Sequence, residues 1–71
     1  MSIEDIRHII GSQLQQARLE RGKSQSEVAE LTGMKQAYIS RMESGKISPN
    51  VTTIGKYLEA IGGYKVTITE K

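Results

Sequence analysis

Glycine divides this 71-residue chain into short helical lengths. Gly22, Gly33, Gly45 and the pair Gly62-Gly63 each follow a stretch whose apolar residues recur every three or four positions. That is where a left-handed residue ends a helix. A single domain of this size lies near the lower limit for folding alone and needs tight helix packing, a metal, disulfides or a partner chain. The chain has no cysteine, so disulfides and thiolate metal sites are excluded. Helix packing and association with another chain remain. The absence of cysteine also fits a reducing cytoplasm.

The first helical segment spans Ser2 to about Arg21. Ile3, Ile6, Ile10, Leu14 and Ala17 form one apolar stripe, with Ile9 and Leu19 off it. Ser2 caps its start and Glu4 and Asp5 lie in its first turn. Gly11 weakens its middle by about 1 kcal/mol relative to Ala and marks a place for a kink. The second segment runs from Gln25 to Thr32. Ser24 and Glu27 have the spacing of a capping box, and Val28, Ala29 and Leu31 form its apolar side. The third runs from about Gln36 to Ser44. Ile39 and Met42 face inward, leaving Gln36, Ala37, Tyr38, Ser40 and Arg41 outward. Pro49 stops any earlier helix, and Asn50 caps the fourth. Val51, Ile54, Leu58 and Ile61 make its stripe, with Tyr57 beside it. Gly55 sits mid-helix, where its cost suggests a close backbone approach to a neighbour.

The tail changes period. Tyr64, Val66 and Ile68 alternate with Lys65, Thr67 and Thr69, which reads as a strand. A lone strand cannot satisfy its backbone groups, so the expectation is pairing with the same strand of a second molecule about a two-fold axis. The predicted organisation is a helical domain over residues 1–63 and a dimerisation tail over 64–71. No apolar run approaches the roughly 20 residues of a membrane span, and no cationic-then-apolar leader opens the chain. The expected location is the cytoplasm, away from membranes.

The net charge of +2 and pI of about 9.1 suggest little by themselves. Position matters more. Between Gly33 and Ser48, Lys35, Arg41 and Lys46 face only Glu43, whereas Glu27 and Glu30 are the only charges from Ser24 to Thr32. Two short helices joined by a tight turn containing Gly33 describe a helix-turn-helix. Ala29 is small where the helices cross, Met34 plugs the turn, and one face of the second helix is left free to enter a DNA major groove.

The stretch from Ala17 to Gly62, "ARLERGKSQSEVAELTGMKQAYISRMESGKISPNVTTIGKYLEAIG", resembles the Cro/CI-type (Xre) helix-turn-helix repressors. Several features recur together: Arg18 four residues before Gly22, "SQ" opening the second helix, Ala29 and Gly33 four apart, "ISR" followed by Glu43 and Gly45, and a final "LEAIG". The resemblance implies an all-α fold, a compact four-helix, lambda-repressor-like domain, here with a short C-terminal β-strand. It also implies sequence-specific double-stranded DNA binding as a homodimer on an inverted-repeat operator, with no cofactor. By position, Gln25 matches a phosphate-bonding residue. Gln36, Ala37 and Arg41 match base-contacting positions. Lys35, Tyr38, Ser40 and Ser44 match neighbours that contact bases or backbone, and Lys46 continues the positive patch. Arg18 and Glu43 match a charge pair tying the first helix to the end of the third. Independently of the family, Gln can bond adenine and Arg guanine bidentately, each giving about 1–3 kcal/mol of discrimination.

Three positions depart from the family pattern. Lys35 stands where a short hydroxyl residue usually caps the helix, and its charge opposes the helix dipole. Outward reach to a phosphate or guanine would account for it. Lys23 occupies a usually apolar spot, and Tyr38 replaces a smaller residue, placing a ring within reach of a thymine methyl or the sugar-phosphate chain. The length and terminal strand further resemble the antitoxin subunits of toxin–antitoxin operons, of HipB or HigA type, which bind their own promoter and hold a toxin. The alternative function is therefore a protein-binding module that holds such a partner, with DNA contact secondary. An enzyme is disfavoured: no paired carboxylates, nucleophile–base arrangement, phosphate loop or metal cluster is visible. His8 has no second ligand near it, Ser24 is a cap, and Glu20, Glu27 and Glu30 are solvated faces.

Overall fold

The computed structural model describes residues 1–62. They form four helices: α1 Ile3–Glu20, α2 Gln25–Thr32, α3 Gln36–Glu43 and α4 Val51–Ala60. The expected pairing strand, with Tyr64, Val66 and Ile68, lies outside the described residues. No helix among those described is long and apolar enough to cross a membrane.

Local chemistry sets the helix starts. Ser2 and Asp5 form one capping box and Ser24 and Glu27 another, each side chain bonding a backbone N–H at the other end. Asn50 Oδ1 accepts from the Thr53 N–H at 2.8 Å. α3 differs: Lys35 occupies its N-cap with no side-chain hydrogen bond. Gly22, Gly33, Gly45 and Gly62 all have positive φ, so the helices stop where the glycine spacing predicts.

α3 packs against α1 and α2, and α2 against α4. The core is Leu14, Val28, Ile39, Met42, Tyr57 and Ile61, with Met34, Ala29 and Ala17 among the half-buried residues around it. Four expectations are corrected. Tyr57 is fully buried at the centre of the core rather than beside a stripe. Leu31, assigned to an inward side, is 62% exposed: it lies in the last turn of α2, one turn beyond the fully buried Val28. The stripes of α1 and α4 are also buried only in part: Ile3, Ile6 and Val51, toward the N-terminal ends of their helices, are exposed. Finally, the two mid-helix glycines exchange roles. α1 continues through Gly11, which lies against the C-terminal turn of α3, while the Cβ position of Gly55 meets no described atom within 4 Å.

Candidate nucleic-acid interface

The outer face of α3 follows from its inner one. Ile39 and Met42 are 0% and 1% exposed and anchor the helix on the core. With those positions turned inward, the helical repeat leaves Gln36, Ala37, Ser40, Arg41 and Ser44 exposed on one side. Lys35 and Lys46 are exposed at its two ends. Tyr38 behaves differently. Its half-buried ring packs against the core, so only part of it is available at the surface. Glu43, the only acid on α3, is buried and paired. Its charge therefore does little to offset Lys35, Arg41 and Lys46 at the surface.

The turn that presents α3 is held by local bonds. Gly33, at φ 77°, donates its N–H to the Ala29 carbonyl. Thr32 Oγ1 donates to the Val28 carbonyl at 2.7 Å and accepts from the Met34 N–H at 3.2 Å. The orientation of α3 relative to α2 is thus fixed by backbone bonding and by Met34 beneath the turn. On the far side, Arg7 Nε donates to Ser48 Oγ at 2.7 Å and ties α1 to the loop between α3 and α4.

All four helices meet at the Glu43 carboxylate. Arg18 from α1 grips it with two bonds, Nε to Oε2 at 2.8 Å and Nη2 to Oε1 at 3.0 Å. The third Arg18 nitrogen, Nη1, donates to the Lys23 carbonyl at 2.9 Å, closing the loop between α1 and α2. Tyr57 from α4 donates its hydroxyl to Glu43 Oε2, and Gln25 from α2 donates Nε2 to Oε1 at 3.0 Å. The two charged side chains are 7% and 2% exposed. Burial alone would raise the Glu43 pKa; the hydrogen bonds from Arg18, Tyr57 and Gln25 and the charge of Arg18 outweigh it and hold the carboxyl below its ordinary value. Burial, and then the bond to Glu43, push the Tyr57 phenol well above its usual range. Among the described residues no buried side-chain polar atom lacks a partner. Two arms of this network, Gln25 and Tyr57, are not anticipated by sequence reasoning. The only signal for Tyr57 is an aromatic residue with a polar tip next to an apolar stripe. Gln25 is brought to the network by its place in the first turn of α2, so its amide is half-buried rather than free.

A family model described as "Helix-turn-helix" matches residues 14–67, about three quarters of the chain. This chain is a Cro/CI-type helix-turn-helix protein. It is 36% identical over 58 residues to the uncharacterized HTH-type transcriptional regulator y4dJ of Sinorhizobium fredii, a match covering 82% of this chain and 75% of that one. It is 38% identical over 52 residues to the HTH-type transcriptional regulator PuuR of Escherichia coli and of Shigella flexneri. That match covers 73% of this chain but only 28% of PuuR, so the likeness extends to one part of the longer protein. Membership of the family makes this chain a DNA-binding transcriptional regulator and not an enzyme. The helix-turn-helix pair is α2 and α3, joined by Gly33, Met34 and Lys35.

Proposed function

We propose that this regulator is a homodimeric promoter-binding repressor that reads an inverted repeat through α3. The observation that carries the reading is the division of α3 into a buried face, Ile39, Met42 and Glu43, and an exposed face, Gln36, Ala37, Ser40, Arg41 and Ser44. Gln36 can donate to adenine N7 and accept from its N6 amino group, and Arg41 can donate to guanine O6 and N7. Lys35, Lys46, Ser44 and the remaining N–H of Gln25 are phosphate contacts that fix register. Tyr38 contributes the exposed rim of its ring to the sugar-phosphate chain. Repression follows from occupying the promoter. In this reading the alternation of Tyr64, Val66 and Ile68 supports strand pairing over residues 64–71 as the dimer contact.

A second reading adds a protein partner. Ile3, Ile6, Ile9 and Val51 are large aliphatic side chains that are all more than two-fifths exposed. A toxin-like partner encoded beside this gene would cover such a surface, making the chain an autoregulating antitoxin.

Selection of bound sequences from random duplex DNA at two salt concentrations tests the first reading. A palindromic consensus, lost or relaxed at one guanine in Arg41→Ala, is the expected result. No enrichment at either salt concentration would refute sequence-specific repression and leave the partner-holding function.

A further inference from the structure

We infer that Glu43 is a positioning residue for the DNA interface: it sets the Gln25 amide before DNA arrives. This rests on the DNA-contact reading of Gln25 given above. The Glu43 carboxylate cannot shift to suit Gln25, because Arg18 grips both its oxygens and Tyr57 holds Oε2 from the opposite helix. Gln25 must adapt to it. An ionised carboxylate accepts and never donates, so the Gln25 nitrogen, not its oxygen, faces Glu43 at 3.0 Å. One amide proton is thereby committed inward, and a single N–H is left to turn toward a phosphate. A glutamine without this tie would swing through several rotamers and would have to be immobilised by DNA. Ordering a flexible side chain at an interface weakens binding by about two- to tenfold, and here that ordering is already present in the free protein. Arg18 and Tyr57 act through Glu43 and never touch DNA.

The test is a double-mutant cycle on a selected operator, with Gln25→Ala, Glu43→Gln and the pair. Binding is read at a temperature where circular dichroism shows every variant folded. Glu43→Gln is expected to weaken binding about two- to tenfold with an unchanged salt slope, since no phosphate charge contact is lost. The effect should vanish in the Gln25→Ala background. Additive losses in the cycle would overturn the role while leaving the DNA reading intact, provided Arg41→Ala still loses binding. Failure of the unaltered protein to select any DNA would remove both. Should Glu43→Gln not fold, nuclear magnetic resonance on the unaltered, DNA-free protein decides. The Gln25 side-chain amide should show backbone-like order, in contrast to the exposed Gln13, Gln15 and Gln16. An equally averaged Gln25 amide would overturn the proposal.

Discussion

A methyl group added at Gly11 would lie 2.4 Å from the Met42 carbonyl oxygen and 2.8 Å from that of Glu43. These are backbone atoms at the end of α3, and they cannot swing aside as a side-chain tip can. Helix propensity favours Ala over Gly by about 1 kcal/mol, but overpacking costs about 1–3 kcal/mol, so the clash wins. Gly11→Ala should therefore lower the melting temperature, by about 4–8 °C for each kcal/mol lost. Gly55→Ala should raise it, because only propensity operates where no described atom lies within 4 Å. Calorimetry of both variants checks the pair; shifts of the same sign would sink the steric account. From sequence the two glycines look alike, since helical position is local and the neighbour is not. Glu43 supports a further prediction at this scale. Its folded-state pKa lies below the ordinary 4.5, so its stabilisation is present above that value and is lost as pH falls through the folded one. Glu43→Gln should flatten the acid limb of a urea-midpoint curve. Asp5 and Glu27, lowered by capping bonds from Ser2 and Ser24, will keep part of that limb. The Tyr57 phenol shifts the other way. Its stabilisation is complete below its ordinary value of 10.0 and is lost as pH rises beyond it.

The helices themselves were legible because local signals mark the starts of α1, α2 and α4 and glycines mark the stops. Ser24 with Glu27 opens α2 and Gly33 closes it, and the structure gives the helix between them as Gln25–Thr32. The burial angle of each helix was less legible. Leu31 follows the apolar pattern of α2 but faces solvent, and Tyr57 stands beside the stripe of α4 but fills the core. Periodicity identifies a face, whereas the partner helix selects which part of it is covered. α3 also carries a compromise that separates stability from binding. Its N-cap, Lys35, makes no side-chain bond to the free N–H groups, and its charge opposes the helix dipole. Lys35→Ser should stabilise the domain by about 0.5–2 kcal/mol. The same substitution should weaken operator binding and make the slope of log K against log salt shallower by about 0.9, the loss of one phosphate contact. Chemical denaturation and a salt titration of binding measure the two effects separately. A more stable variant with an unchanged slope would mean that Lys35 does not reach the duplex.

For the molecule as a whole, one domain offers one recognition helix, and eight residues of α3 cannot span a long operator. The proposed repression, if it rests on α3 alone, calls for two copies, each covering a half-site. If the proposed dimer joins them rigidly, the distance between the two α3 helices is fixed and the DNA must match it. Half-sites separated by one helical turn, about 10 base pairs centre to centre, or by two turns, place both grooves on the same side of the duplex. A separation near 15 base pairs turns the second groove to the opposite side. The second contact is intramolecular once the first has formed, and so strengthens binding by about 10²–10⁴-fold where geometry allows both. Operators with the consensus half-site at one-turn, one-and-a-half-turn and two-turn spacing should therefore show tight, weak and tight binding in fluorescence anisotropy, with two chains per tight complex. Removal of residues 64–71 should bring all three down to the affinity of a single half-site while leaving the melting of the helical domain nearly unchanged. Equal affinity at all three spacings in the full chain would show that the copies bind independently, and the fixed-dimer account would fail.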